Sequence, residues 1–166
     1  RQFAGLQSAG GIAYPGLHII NEDKAMKRFH VNLSVANLAQ SRQFYTGLFG
    51  TEPAVAKDDY AKWMLEDPRL NFSITQSSSK RGIQHIGLQA DTVEELAEIQ
   101  RRLSQAGETT LDQHDTECCY ARSTKTWVRD PDDVAWETFV THEQIANFGS
   151  EPVGNGTQAA GKRCCA

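Results

Sequence analysis

Three residues with metal-binding side chains lie in predicted β-strands: His30, His85 and Glu137. Each has apolar neighbours, so on an extended strand its side chain points to the face opposite the apolar one. His30 and His85 also hold equivalent places in a repeated pattern, the first strand of each half. Two imidazoles and one carboxylate on a concave sheet form a facial triad with open coordination positions, as in non-haem Fe(II) oxygen chemistry. The alternative interpretation is that each of the three is a structural strand residue that binds no metal. Their corresponding places in the two halves of the repeat favour the metal site.

The four cysteines form two adjacent pairs, Cys118-Cys119 and Cys164-Cys165. Secreted disulfide frameworks spread their cysteines to join distant segments, so adjacent pairs indicate reduced thiols, a cytoplasmic protein and a soft, thiophilic ligand. Successive side chains of a strand point to opposite faces, so Cys118 and Cys119 can bind one atom jointly only in a loop, a bulge or a strand end. The polar residues 113–117 predict a flexible loop there. The alternative for Cys118 and Cys119 is that one is buried, the other is exposed, and neither binds a ligand. The alternative for Cys164 and Cys165 is that the two cysteines are adjacent by chance.

The elements that must position these residues occur twice along the chain. Residues 26–76 and 83–143 each predict a strand, a helix and three further strands, with a polar linker between the two halves. Alternating apolar and polar residues indicate half-buried strands, and helices segregated from strands are typical of α+β proteins. We therefore predict an α+β fold in which two βαβββ modules form one curved mixed sheet with a metal-binding cup.

Capping residues set the bounds of the two predicted helices. Asn37 begins the first helix and Gly50 ends it, whereas a capping box of Thr92 and Glu95 begins the second and Gly107 ends it. The predicted strands cover residues 27–35, 53–57, 60–66 and 70–75 in the first half. In the second half the strand candidates are residues 83–90, 109–113, 119–122, 126–130 and 134–141, so four candidates rather than three follow the helix. Each metal-binding residue then lies inside a strand.

Length, charge and composition exclude several classes of protein. A chain of 166 residues, 39% of them hydrophobic, suits one globular domain. A net charge of −4 without a basic cluster argues against binding to nucleic acid, which needs concentrated Lys and Arg. No stretch reaches the roughly 20 apolar residues of a membrane helix. Residues 1–25 are predicted to be an extension before a natural start at Met26, and residues 144–166 a flexible tail that ends in cysteines.

Several sequence motifs between residues 26 and 143 carry a resemblance to a known superfamily. They are residues 59–68, 70–72, 116–121 and 127–131, and the Cys-Cys-Tyr-Ala element at 118–121 is the most discriminating. This part of the chain resembles the vicinal oxygen chelate superfamily, which includes glyoxalase I, fosfomycin-resistance proteins and extradiol dioxygenases. Within that superfamily it resembles the non-haem iron carbon–arsenic lyases and the related cadmium-induced proteins.

The resemblance implies a function and a set of site residues. His30, His85 and Glu137 match the metal ligands of the family, and Cys118 and Cys119 match its arsenic-binding thiols. The implied activity is an Fe(II)-dependent dioxygenase that cleaves the carbon–arsenic bond of trivalent methyl- or arylarsenous acids and gives arsenite. Its partners would be the organoarsenical and dioxygen, with a homodimer as the usual assembly. Other divalent metals can occupy the same ligands.

Three rival functions use the same fold. Glyoxalase I takes a carboxylate ligand from each half, but aligning the two Asp-Pro turns, with a one-residue gap, places Ser73 opposite Glu137. Three protein ligands leave more positions for dioxygen and substrate than four. A fosfomycin-type thiol transferase would need cationic residues around a phosphonate and would not use Cys118 and Cys119. A resistance protein that only sequesters cadmium or arsenite through its thiols would need no dioxygen.

Overall fold

The computed structural model describes residues 27–77, 79 and 81–146. The predicted N-terminal extension, residues 1–25, and the tail cysteines Cys164 and Cys165 lie outside the described residues. The described elements are β1 (Arg28–Val35), α1 (Leu38–Phe49), β2 (Val55–Ala56), β3 (Tyr60–Glu66), β4 (Arg69–Gln76), β5 (Gly82–Ala90), α2 (Val93–Gln105), β6 (Leu111–Cys118), β7 (Ala121–Arg129) and β8 (Ala135–Gln144). Neither of these helices is long and apolar enough to cross a membrane.

The strands form one curved mixed sheet in the order β2-β3-β4-β1-β5-β8-β7-β6. The first strands of the two modules, β1 and β5, pair antiparallel at its centre. On either side, β1 pairs parallel with β4 and β5 pairs parallel with β8, the last strand of each module. Each module therefore contributes half of the sheet in the same strand order. This arrangement confirms the predicted α+β fold of two βαβββ modules.

Both helices begin and end at the predicted residues to within one position. The Asn37 side chain accepts a hydrogen bond from the Gln40 amide at 3.0 Å, and Gly50 ends α1 in the left-handed conformation. In α2 the Thr92 hydroxyl accepts from the Glu95 amide at 3.2 Å, while the Glu95 carboxylate accepts from the Asp91 amide at 2.9 Å. These bonds satisfy amide groups that a helix N-terminus leaves without partners.

The two faces of the central strands differ in polarity. In β1 the apolar residues Val31, Leu33 and Val35 pack against a core cluster beneath α1 that includes Trp63 and Phe72. The alternate residues of the same strand face the other way and are polar but buried: Arg28, His30, Asn32 and Ser34. Because buried polar groups cost free energy unless they are paired, a strand with this pattern lines a polar cavity rather than a second apolar core.

The structure corrects the predicted strands around the thiols. The two predicted strands 119–122 and 126–130 are replaced by the single strand β7, which begins at Ala121 and ends at Arg129, so that residues 119 and 120 lie in the turn before it. Residues 113–117, predicted as a flexible loop, lie in β6. Gln113 pairs with Lys125 and Thr116 with Ser123, with a register shift between the two pairs. β6 is the last strand of the sheet. An edge strand exposes both faces, so polar residues follow one another there without forming a loop.

Gly87 allows β5 and β8 to pair closely beside a candidate metal ligand. It pairs with Glu137, and a Cβ atom at position 87 would lie 1.7 Å from the Glu137 carbonyl oxygen. We expect Gly87→Ala to push β8 away, to lower the free energy of unfolding by about 3 kcal/mol or more, and to weaken metal binding. Thermal unfolding and metal content of the purified variant measure both effects.

Gly47→Ala is the matched control, because a Cβ atom there meets nothing within 4 Å. Gly47 lies inside α1, where alanine is expected to stabilise the protein by about 0.5–1 kcal/mol. An unfolding temperature and metal content of Gly87→Ala equal to those of the unaltered protein would contradict the steric argument.

Candidate metal centre

The three predicted metal ligands meet at the centre of the concave face. His30 lies on β1, His85 on β5 and Glu137 on β8, which are neighbouring strands. The Nε2 atoms of the two histidines are 3.1 Å apart. Glu137 Oε2 lies 3.2 Å from His85 Nε2 and 3.5 Å from His30 Nε2. All three side chains are buried. One nitrogen or oxygen atom of each lies close to those of the other two, so the three atoms could bind one metal ion.

The distances between these atoms fit a bound transition metal. Ligands about 2.1 Å from one ion, at right angles to each other, lie about 3.0 Å apart. The three observed separations, 3.1, 3.2 and 3.5 Å, are close to that value. Two imidazoles with one carboxylate suit iron and other divalent transition metals better than calcium or magnesium, which prefer oxygen ligands. The side chains therefore fit a divalent transition metal.

The protein holds His30 in the form that can bind a metal. His30 Nδ1 lies 3.1 Å from the carbonyl oxygen of Asn71, so an Nδ1–H group that donates there leaves Nε2 without a proton. Burial, with the charge of His85, lowers the pKa of His30 to about 4 against the opposing charge of Glu137. The imidazole is therefore neutral at physiological pH. The ring of Phe139 packs edge-on against His30, with the centroids 5.1 Å apart.

A buried lysine holds the carboxylate of Glu137. Lys125 Nζ donates to Glu137 Oε1 at 2.7 Å. Burial alone would raise the pKa of Glu137, but the charge of Lys125 and the hydrogen bond to His85 hold it well below its usual range. Burial would lower the pKa of Lys125, but the charge of Glu137 raises it above the usual value. The pair is therefore ionised, and Glu137 is available as an anionic ligand.

The first module offers no carboxylate at the place equivalent to Glu137. Glu137 pairs with Gly87, two residues after His85, and Ser73 pairs with Asn32, two residues after His30. The registers therefore confirm that Ser73 corresponds to Glu137. The Ser73 hydroxyl accepts a hydrogen bond from Asn32 Nδ2 at 2.8 Å. The triad thus has three protein ligands, and the hydroxyl of Ser73 is occupied by a neighbouring amide.

Cys118 and Cys119 lie at the end of a strand and in the turn that follows it. Cys118 pairs with Ala121, and the two residues between them, Cys119 and Tyr120, have positive φ angles of 54° and 63°. Two central residues with positive φ form a type I′ hairpin turn, which usually carries asparagine and glycine. This backbone brings the two Sγ atoms to 3.3 Å from each other. Two bonds of about 2.3 Å, the length of a metal–thiolate bond, span that separation at a right angle.

The thiols and the triad line one cavity. Its wall also includes two lysines, Lys62 from β3 and Lys125 from β7, and the polar residues of the first module. Burial lowers the pKa of Lys62, and the negative charge of Cys119 opposes this change. The lysines thus interact favourably with thiolate sulfur. The residues that line the cavity are His30, Asn32, Tyr60, Lys62, Asn71, Ser73, His85, Cys118, Cys119, Ala121, Ser123, Lys125, Glu137, Phe139 and Thr141.

From the sequence, Lys125 could line the pocket, with packing or solvated surface as the default interpretation, whereas Lys62 was not singled out. Lys125 could be assigned to solvent or packing because a lone lysine in a strand is usually exposed. Its position carried a signal, since it alternates along β7 with Ser123 and Trp127, which are also buried. Trp127 packs edge-on against His85 at 5.1 Å between the centroids. The side of β7 that carries Lys125 and Trp127 therefore faces the metal centre.

Tyr120 ties the thiol turn to the first module. Its hydroxyl donates to Asp59 Oδ1 at 2.7 Å, its ring lies 5.7 Å from that of Tyr60, and Lys57 Nζ lies 5.1 Å from its centroid. The hydrogen bond to Asp59, followed by burial, raises the pKa of Tyr120 to about 12. Contacts with the first module therefore help to position the turn that carries Cys119.

The remaining histidines do not join the triad where the structure describes them. His114 is exposed. His142 Nε2 lies 2.9 Å from the Thr124 hydroxyl and 3.8 Å from Asp115 Oδ1. His18 lies outside the described residues. These positions agree with the absence of a partner pattern in the sequence.

Comparison with protein families gives a match over most of the folded region. Residues 27–138 match the family model described as the Glyoxalase/Bleomycin resistance protein/Dioxygenase superfamily. This range contains the three candidate metal ligands and both thiols of the hairpin turn. The superfamily predicted from the motifs is thereby confirmed.

Several named proteins are similar to the chain in sequence. A trivalent organoarsenical cleaving enzyme from Bacillus sp. (strain MD1) is 42% identical over 132 residues, which are 76% of this chain and 81% of that protein. A probable trivalent organoarsenical cleaving enzyme from Bacillus subtilis (strain 168) is 40% identical over 70% of this chain and 81% of its own length. The cadmium-induced protein CadI of Mycobacterium bovis is 31% identical over 84% of this chain and 93% of its own length.

Solved structures support the same fold. An extradiol ring-cleaving dioxygenase from B. fuscum superposes with a TM-score of 0.56 at 17% identity, covering 73% of this chain and 34% of the dioxygenase. The chain thus spans about one third of that dioxygenase, and the likeness concerns the fold alone. Together with the family match and the sequence relatives, it shows that the chain belongs to the Glyoxalase/Bleomycin resistance protein/Dioxygenase superfamily, in the group that includes trivalent organoarsenical cleaving enzymes and CadI.

Proposed function

We propose that the chain is an Fe(II)-dependent dioxygenase that cleaves the carbon–arsenic bond of trivalent organoarsenicals and releases arsenite. One observation carries the proposal: a pair of thiols, 3.3 Å apart, lines the same cavity as a triad of two histidines and one glutamate. A thiol pair alone would suit a sequestering protein, and a triad alone would suit many members of the superfamily. Their combination suits a reaction at a thiol-bound substrate.

Capture of the substrate is a ligand exchange at arsenic. Two thiols, Cys118 and Cys119, replace the two hydroxyl groups of a methyl- or arylarsenous acid, and two water molecules leave. The carbon group stays on arsenic. Trivalent arsenic is soft and prefers sulfur to oxygen, so the exchange is favourable. The buried cations Lys62 and Lys125 assist because they stabilise negative charge on sulfur.

His30, His85 and Glu137 would hold Fe(II) beside the captured arsenical. When bound, Fe(II) would supply the electron transfer that lets an organic substrate react with dioxygen. The chain contributes the remaining features: a neutral imidazole at His30, an ionised carboxylate at Glu137, and the rings of Phe139 and Trp127 packed against the two histidines. The same donor set would accept other divalent metals, so the identity of the native ion is part of the proposal.

The overall reaction balances with one dioxygen for each arsenical. Methylarsenous acid and dioxygen together contain the atoms of formaldehyde and arsenous acid. The oxidation state of carbon rises from −4 to 0 while arsenic stays at +3, and the four electrons released reduce dioxygen, so no further reductant is required. The products leave as arsenite and an oxidised organic fragment, and Cys118 and Cys119 return to the thiol form.

The proposed enzyme works in a reducing compartment. Cys118 and Cys119 are not joined in a disulfide, and adjacent cysteines are expected to remain reduced in the cytoplasm. We expect a homodimer in solution, as the resemblance implies. Light scattering after size-exclusion chromatography measures this assembly directly.

Anaerobic loading with Fe(II), followed by methylarsenous acid and then air, tests the proposal. We expect stoichiometric arsenite and formaldehyde, measured by arsenic speciation and an aldehyde assay, and one dioxygen consumed for each arsenite. Omission of Fe(II) or of air should leave methylarsenous acid unchanged. Tight binding of arsenicals or cadmium without oxygen consumption would instead identify a sequestering protein.

A further inference from the structure

The two carboxylate oxygens of Glu137 have different partners. Oε2 is the oxygen that lies 3.2 and 3.5 Å from the two imidazole nitrogens. Oε1 accepts the hydrogen bond from Lys125 Nζ at 2.7 Å. The carboxylate is therefore divided between a metal position and a fixed ammonium group. A carboxylate without such a partner can place both oxygens on one metal ion.

Lys125 is held firmly in this place. Its side chain is 6% exposed and that of Glu137 is 7% exposed, so water competes little with the ion pair. The two residues lie on adjacent strands, where Lys125 pairs with Phe139 and Glu137 with Trp127. The ammonium also lies 6.0 Å from the Trp127 ring centroid and interacts with the thiolates of the hairpin turn. A hydrogen bond between two charged groups in such surroundings is strong.

We propose that Lys125 is a positioning residue that restricts Glu137 to a single metal–oxygen bond and so keeps one further coordination position open. This inference rests on the proposed metal site. With two imidazoles and a monodentate carboxylate, three positions of an octahedral ion remain for substrate and dioxygen. If Oε1 were also bound, only two would remain. Lys125 thereby determines how many exogenous ligands the site can take.

A merely structural lysine predicts a different result from a positioning lysine. If Lys125 only stabilises the buried charge of Glu137, its removal weakens Fe(II) binding and every later step together. If it restricts the carboxylate, its removal frees Oε1 to bind the metal. Fe(II) affinity is then kept or increased, while the number of positions left for added ligands falls from three to two. Loss of one position with Fe(II) retained is expected only in the second case.

Lys125→Met provides the test, with nitric oxide bound to the Fe(II)-loaded protein in water enriched in oxygen-17. Water ligands that share the iron with nitric oxide broaden the electron paramagnetic resonance signal of the adduct, so the broadening reports how many further positions are open. Lys27→Met is the matched control, because it removes a lysine that also pairs with a carboxylate, Glu95 at 3.2 Å, but lies outside the cavity. Metal content measures Fe(II) binding.

We expect Lys125→Met to retain Fe(II) and to keep one water ligand beside nitric oxide, where the unaltered protein keeps two. Lys27→Met should match the unaltered protein in both measurements. Two water ligands in an Fe(II)-loaded Lys125→Met protein, or loss of Fe(II) from it, would overturn the inference. Failure of the unaltered protein to bind Fe(II) would instead overturn the proposed function.

A second measurement covers the case in which Lys125→Met does not fold. A crystal structure of the unaltered protein loaded with Co(II) reports both carboxylate distances directly. We expect Glu137 Oε2 at about 2.0–2.2 Å from the ion and Oε1 too distant to bind it. Two oxygens at bonding distance would overturn the role assigned to Lys125.

Discussion

His85→Ala is expected to abolish Fe(II) binding and, with it, all turnover of organoarsenicals. His85 Nε2 is the donor nearest to both of the other ligands, 3.1 Å from His30 Nε2 and 3.2 Å from Glu137 Oε2. Changes to groups that only support a metal ligand already cost about 10–100-fold in affinity, so loss of a ligand should cost more than 100-fold. Metal content after dialysis, followed by arsenic speciation in air, measures the two effects in turn.

His142→Ala is a suitable control for this variant. It also removes an imidazole from the sheet, but its partners are Thr124 and Asp115 rather than the triad. We expect it to retain Fe(II) and full activity. The unfolding temperature of His85→Ala should be compared in the absence of metal, because the variant also leaves a cavity at a buried position. Normal Fe(II) content in the folded His85→Ala variant would show that His85 is not a metal ligand.

The central part of the site could be predicted from sequence because strand periodicity fixes which face a side chain takes. His30 alternates with Phe29 and Val31, and the structure places it on the polar face, opposite the residues that pack on α1. A separate comparison, the alignment of the two Asp-Pro turns with a one-residue gap, related Ser73 to Glu137, and the strand registers agree. A one-residue change in either register would have moved these side chains to the other face.

The thiol region could be predicted only in part. The argument that adjacent cysteines need an irregular backbone agrees with the turn at Cys119, where φ is 54°. The residues before it were expected to form a loop, but they form the edge strand β6. Polar composition does not distinguish a loop from a strand that is exposed on both faces. Which strand lies at an edge depends on pairing between distant segments, and composition does not encode it.

The role of Lys125 needed the three-dimensional structure. An isolated lysine in a strand is almost always solvated, so its type gives no reason to bury it. Its burial is possible because its ammonium group pairs with Glu137 at 2.7 Å. Glu137 lies 12 positions further along the chain, on the neighbouring strand β8. Such a pair forms only when the curvature of the sheet brings both side chains into one cavity.

Cys118→Ala and Cys119→Ala are each expected to weaken the binding of arylarsenous acid by about 100-fold or more while leaving Fe(II) in place. With both thiols present, the second bond to arsenic forms within one complex, where the effective concentration of the second thiol is in the millimolar range or above. Each single variant loses that advantage. Calorimetric titration of the anaerobic protein with phenylarsenous acid measures the affinity, and metal content verifies that the triad is intact.

The comparison of the two single variants also tests whether both sulfurs bind the same arsenic atom. Cys118 is buried and Cys119 is partly exposed. If only the exposed thiol captures the arsenical, Cys118→Ala binds normally and Cys119→Ala alone fails. If both sulfurs, 3.3 Å apart, bind one atom, the two single variants weaken binding to a similar extent, and the double variant binds more weakly still because it can form no arsenic–sulfur bond. Full turnover in the double variant would refute capture by thiols, because the triad would then accept the arsenical without them.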